Sequence, residues 1–131
     1  MTTDTSAARL FRINIEVGDI DRAADFYSTI LATEGRPQMG SRCYFGAGAV
    51  TLQVVQADDP QLAAKALYFE VADLDLFHQR AEQLDCLASD LVHGMPAGQP
   101  IVRPWGERSF YASDPWGNPL CFVEAGTIYQ G

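Results

Sequence analysis

The side chains able to do chemistry in this chain are few, and their spacing points to recognition more than to reaction. Glu16 and Glu70 fall at equivalent places in two similar segments. Two carboxylates facing one cavity would make an acid and base pair with separated pKa values, but ion pairing on the strands is the expected role. His78 lies within a helical pattern, where packing or solvation is expected, and His93 opens a loop rich in Gly and Pro, where contact with a ligand is open to it. Cys43, Cys86 and Cys121 are an odd set without C-x-x-C spacing, which points to free thiols in a reducing compartment. A nucleophilic Cys121 would need a neighbouring base or cation. No Ser-His-Asp arrangement or nucleotide fingerprint is present, and Gly46-Ala47-Gly48 lacks the following helix of a phosphate loop.

A binding pocket asks for less: an apolar, aromatic lining with a few placed polar groups. Tyr44, Tyr68, Trp105, Tyr111 and Trp116 are the aromatic candidates, with Arg12, Asn14 and Gln53 as polar anchors. Trp105, between Pro104 and Gly106, is the platform expected to stack on a planar heteroaromatic molecule, and the acidic surface favours a cationic one. Arg12 pulls the other way. Unpaired, it favours a carboxylate or phosphate on the ligand, whereas an ion pair with Glu16 or Glu70 would cancel that preference.

The elements that position these residues are written twice. Ile15-Glu16-Val17-Gly18-Asp19-Ile20-Asp21 matches Phe69-Glu70-Val71-Ala72-Asp73-Leu74-Asp75 at four of seven positions, and the other three keep their apolar or small character. Each copy begins with a strand of period two, Ile13, Ile15 and Val17 on one face of the first and Leu67, Phe69 and Val71 on that of the second. Asp19 and Asp73 then cap helices with apolar stripes through Ile20, Ala23, Ala24, Tyr27, Ile30 and Leu31, and through Leu74, Phe77, Ala81 and Leu84. Gly35-Arg36-Pro37 closes the first helix, and strands over residues 42–45 and 50–56 follow around Gly46-Ala47-Gly48. The second copy ends alike, with strands over 109–113 and 119–124 around Asp114-Pro115-Trp116-Gly117-Asn118. Residues 56–65 read as the connector, and 93–106 as a long loop with one short strand at Ile101-Val102.

The doubled unit, the D-[IL]-D after each first strand, and the run Pro104-Trp105-Gly106-Glu107-Arg108 leading to Asp114-Pro115-Trp116-Gly117-Asn118 resemble the vicinal oxygen chelate superfamily. That group includes glyoxalases, extradiol dioxygenases, fosfomycin-resistance enzymes and bleomycin-resistance binding proteins, and the likeness is closest to the last of these. It covers residues 10–126. The resemblance implies an α+β fold of tandem β-α-β-β-β modules whose curled mixed sheets surround a cavity, completed by the second protomer of a homodimer. It also implies, for the enzymes, one divalent metal held by His, Glu or Gln from the first and last strands of each half. Those positions fall here on Arg12, Gln53, Ala66 and Cys121. A guanidinium cannot ligate a metal and alanine has no donor atom, so no metal and no other cofactor is expected.

The function implied is metal-independent binding of a small molecule, an antibiotic among the candidates, by sequestration rather than catalysis. The expected ligand-binding residues are Arg12, Asn14, Tyr44, Gln53, Tyr68, Trp105, Tyr111 and Cys121. One alternative is a metal-dependent lyase, isomerase or dioxygenase with displaced ligands. Another is a non-catalytic interaction module.

Length and charge agree with this reading. The 131 residues suit one domain over 1–131, built of modules over 10–56 and 66–126, large enough to bury roughly two-thirds of its unfolded surface. Nine Lys and Arg against 17 Asp and Glu leave a net charge of −8, and Lys65 is the sole lysine, so nucleic acid is not an expected partner. Residues 1–12 lack the basic and apolar regions of a secretory signal, and no apolar run approaches the roughly 20 residues that cross a bilayer, so a cytoplasmic protein without membrane partners is expected.

Overall fold

A computed structural model describes residues 10–63 and 66–129. The last two residues of the expected connector and most of the segment read for a secretory signal lie outside these.

Each copy of the repeat builds one four-stranded mixed sheet and one helix. In the first, β1 (Arg12–Val17) leads through α1 (Ile20–Ile30) to β2 (Arg36–Gln38), β3 (Arg42–Ala47) and β4 (Val50–Gln56), in the spatial order β1-β4-β3-β2. In the second, β5 (Leu67–Val71) leads through α2 (Leu74–Gln83) to the short β6 (Leu91–Val92), β7 (Met95–Pro96) and β8 (Ile101–Val102), then β9 (Arg108–Ser113) and β10 (Pro119–Glu124). Its sheet runs β5-β10-β9-β8, and β6 pairs with β7 separately. The pairs β1·β4 and β5·β10 are parallel because a helix intervenes in the chain, and the others are antiparallel. The α+β architecture of tandem modules with mixed sheets is thus the one expected.

Both helices start where the sequence places them. The Asp19 and Asp73 carboxylates accept from the backbone N–H of Arg22 and Leu76, each at 3.1 Å. Ile15, Val17, Leu52 and Val54 of the first sheet and Phe110, Leu120 and Phe122 of the second share one core with Tyr27 and Ile30 of α1 and Leu74 and Ala81 of α2. Phe26, outside the expected stripe, is buried as well, so α1 is covered over more of its circumference than its i, i+3, i+4 pattern indicates. Across the second sheet, register places Phe69, Phe122 and Phe110 in one row, with ring centroids 5.3 and 5.2 Å apart.

Three short strands depart from expectation. The residues read as the close of the first helix form β2, an edge strand, where Pro37 is tolerated because an edge asks less of its missing N–H. β6 and β7 lie around the start of the expected loop, joined by His93 and Gly94 with φ of 50° and 74°, a pair of positive values that turns a two-residue hairpin. β3 also runs two residues further than read, to Ala47.

Candidate functional site

Period-two alternation decides which side chains are free to meet a ligand. Since Ile13, Ile15 and Val17 turn to the core, Arg12, Asn14 and Glu16 turn away from it, and on β5 Tyr68 and Glu70 do the same. Register then assembles two corresponding rows. Asn14 lies beside Gln53 and Gln53 beside Tyr44; in the second sheet Tyr68 lies beside Cys121 and Cys121 beside Tyr111. The repeat thus makes Asn14 equivalent to Tyr68, Gln53 to Cys121 and Tyr44 to Tyr111, so the expected site residues fall into two sets, one on each sheet.

In the first set, Gln53 is buried and its Nε2 donates to Asn14 Oδ1 at 2.6 Å. Arg12 extends over Tyr44, donating to its hydroxyl at 3.4 Å, with the guanidinium carbon 5.4 Å from that ring and 5.0 Å from Phe11. The expected ion pairing of the strand glutamates is not what the structure shows. Among the described residues neither Glu16 nor Glu70 pairs with a cation, and Glu16 Oε1 instead accepts from the backbone N–H of Gln61 at 2.9 Å. Ion pairing is taken up by Arg108, which reaches Asp75 and Glu124 and ties α2 to the second sheet.

The second set is built over a residue that the sequence reading did not single out. Arg103 is 2% exposed and meets no carboxylate among the described residues. Its Nε donates to Ser109 Oγ, Nη1 to Pro96 O, and Nη2 to the carbonyls of Ala97, Gln99 and Ser109, all between 2.9 and 3.2 Å. This fork pins the loop after β7 to β9 and leaves the guanidinium carbon 5.5 Å from the Tyr111 ring centre. The only sequence signal is an arginine inside a Gly- and Pro-rich stretch, beside the Trp105 that drew notice. Burial pushes the Cys121 thiol up to about 11, against the lowering effect of its hydrogen bonds to Tyr111 and Ser109 and of the nearby Arg103 charge. Burial and a hydrogen bond with Tyr68 likewise raise Tyr111. Both shifts favour the neutral groups at pH 7, which leaves little Cys121 thiolate there.

Tyr68, 63% exposed, and Trp105 border a cavity of about 410 Å³, together with Glu70, Glu107, Val123 and Tyr129. Trp105 Nε1 donates to Glu107 Oε1 at 2.7 Å, and the other carboxylate oxygen accepts from the Tyr129 N–H at 2.8 Å, so Glu107 fixes the indole against the C-terminal segment. His93 packs edge-on against Trp105, ring centres 5.2 Å apart. His78 has the packing role expected of it, with Nε2 3.0 Å from Gly98 O and its ring edge-on to Phe110. Trp116 stands elsewhere, against Gly18 and under Arg22, and does not reach this cavity. Arg12, Asn14, Tyr44, Gln53, Tyr111 and Cys121 do not line it either, so Tyr68 and Trp105 are the expected site residues it brings together.

The donor set does not fit the metal centre implied for the enzymes. Arg12 is a cation and Ala66 has no donor, which leaves Gln53, through the Oε1 that its bond to Asn14 does not use, and Cys121, once deprotonated, as two ligands where three or four are needed. Among the described residues no three of His, Cys, Asp or Glu converge.

The arrangement of strands and helices is shared with solved proteins. The chain superposes on Oxidase ChaP-H2 with a TM-score of 0.73 at 22% identity, covering 95% of this chain and 98% of that one. A lactoylglutathione lyase from Agrobacterium tumefaciens gives 0.68 at 19%, covering 95% and 98%. A glyoxalase/bleomycin resistance protein from Albidiferax ferrireducens gives 0.69 at 19%, covering 88% and 98%. No protein-family model matches the sequence, and no curated protein matches it. At these identities the likeness shows the fold: the chain has the vicinal oxygen chelate, or glyoxalase/bleomycin resistance, fold.

Proposed function

We propose that this protein binds a planar aromatic small molecule, cationic rather than anionic, on the Tyr68 and Trp105 face and holds it without changing it. The observation that carries this reading is the cavity itself: an indole fixed by Glu107 and an exposed tyrosine ring, with the carboxylates of Glu70 and Glu107 at its border. Aromatic faces gain from stacking and from a nearby cation, and a chain of net charge −8 adds to the attraction. Antibiotics of this chemistry are candidate ligands, and the protection would be sequestration in the cytoplasm, consistent with three free thiols. The lyase, isomerase and dioxygenase readings lose support because two of the four positions that would carry the metal, Arg12 and Ala66, supply no ligand.

The same reading gives the second set of residues a place. The apolar faces of both sheets share one core, so the polar faces turn outward, and the first set lies apart from the cavity at Tyr68. In our reading a second copy of the chain brings Arg12, Asn14, Tyr44 and Gln53 opposite Tyr68, Tyr111 and Cys121, as one unit of two modules in each protomer. The test is titration of the protein with proflavine and with bleomycin, followed by tryptophan quenching. Trp105→Ala is expected to weaken binding about tenfold, the loss of one stacking contact. Unchanged affinity in that variant would remove Trp105 from the site.

A further inference from the structure

The two halves close differently on each other. The turn Asp114-Pro115-Trp116-Gly117-Asn118, between β9 and β10, clasps the first half at three points. Tyr27 Oη donates to Asp114 Oδ2 at 2.8 Å, Asn118 Nδ2 donates to Glu16 O at 3.0 Å, and Trp116 lies so close that a Cβ on Gly18 would sit 2.5 Å from its Nε1. Asp114 also accepts from the N–H groups of Trp116 and Asn118, so the clasp is rigid.

The repeat makes the corresponding turn Gly46-Ala47-Gly48-Ala49, which has no side chain able to do any of this. The partners are missing as well: Ala81 stands where Tyr27 would be, and Ala72 where Gly18 would be. In that place there is a cavity of about 500 Å³ between Gly46–Gly48 and Glu70, Val71 and Phe77, floored by Ile13, Leu52, Phe69 and Phe122. This floor is made of core-side residues of both sheets, and the cavity reaches round the β5 edge to Tyr68 and Glu70, which also border the cavity at Trp105, while Trp105 itself does not line it.

Its polar equipment comes from the backbone. β5 is an edge strand. Val71 O accepts from Ala125 N toward β10, so by alternation the N–H and C=O of Tyr68 and Glu70 face the free edge. Glu16 O, the counterpart of Glu70 O, is the carbonyl that Asn118 satisfies, and among the described residues nothing donates to Glu70 O. Glu70 itself is exposed, and its edge carbonyl, left without a protein donor, is open to a ligand that brings one. An anion would meet the negative field of the protein, and a full charge would be costly against the phenylalanine rings.

We propose that this cavity is a second small-molecule site, for a neutral aromatic compound with an N–H donor that reaches the Glu70 carbonyl. The test uses N-phenyl-1-naphthylamine, a neutral diaryl amine whose emission rises in apolar surroundings, titrated into the full-length protein. A saturable rise is expected. Ala47→Trp, at the half-exposed end of β3, is expected to weaken binding at least tenfold by filling the place that Trp116 fills on the other side, with the thermal midpoint showing that the fold is kept. Trp105→Ala is expected to leave the affinity within twofold, which separates this site from the Tyr68 and Trp105 face. No saturable rise, or an affinity that Ala47→Trp leaves intact, would overturn the proposal, as would loss of binding in Trp105→Ala.

Discussion

Arg103 shows how much a single side chain organises here. A buried guanidinium without a carboxylate is costly unless its nitrogens find acceptors, and here each of the three does, among four carbonyls and a hydroxyl. Lysine keeps the charge but not the planar fork, so Arg103→Lys is expected to cost about 3 kcal/mol or more in urea denaturation, with the loop bearing Trp105 released first. The thiols carry a pH signature. Cys86 and Cys121 are both raised to about 11 in the fold, Cys86 by burial and by the Asp85 charge, Cys121 by burial. An unfolded thiol ionises near pH 8.5, roughly. Their contribution is therefore complete below that value and is lost as pH rises toward 11. Thermal midpoints measured across that range should fall, and Cys121→Ala should flatten the fall. At this scale alternation marks which strand residues leave the core, so the outward direction of Arg12, Asn14 and Tyr68 was legible. Arg103 was not, since its partners, the carbonyls of Pro96, Ala97, Gln99 and Ser109, are aimed at it by the folded path of the loop and not by any periodic pattern.

The elements follow the same division. Both helices, their aspartate caps and the three long strands of each half could be read from periodicity, and of the β2 and β8 edges only β8 was expected. β2, β6 and β7 are two or three residues long, and strands that short exist through their pairing partners rather than through any pattern of their own. The clasp between α1 and the β9–β10 turn was half legible. Asp114-Pro115-Trp116-Gly117-Asn118 reads as a tight turn, but nothing local says that Tyr27, 87 positions earlier, donates to Asp114. Burial, together with Asp114, holds the Tyr27 phenol far above its ordinary value, so it stays a donor at all working pH. Tyr27→Phe is expected to cost about 1.5 kcal/mol in denaturation, the lower end for a hydrogen bond to a charged group, because Asn118 and two backbone N–H groups still hold the carboxylate.

At the scale of the whole molecule, the fold was the most legible property, since the repeat, the acidic turns and the closing motif each belong to elements in a fixed order. The separation of the eight expected site residues into two sets on two sheets was not, because it depends on how the halves share their core. If a second copy joins the sets, sedimentation should give twice the 14.3 kDa of one chain. Arg12→Glu, which puts a carboxylate in place of a cation at the outward face of the first sheet, should then strengthen binding of the cationic proflavine to the partner's Tyr68 and Trp105 face, most at low salt. A monomer with full affinity would confine the site to the second sheet. The claim on which the functional reading rests is that the Arg12, Gln53, Ala66 and Cys121 positions do not assemble a metal centre. The most direct measurement is elemental analysis of tag-free protein after loading with Mn, Fe, Co, Ni and Zn and removal of the excess. Metal far below one ion per chain is the predicted result, and a specific, near-stoichiometric ion would contradict it.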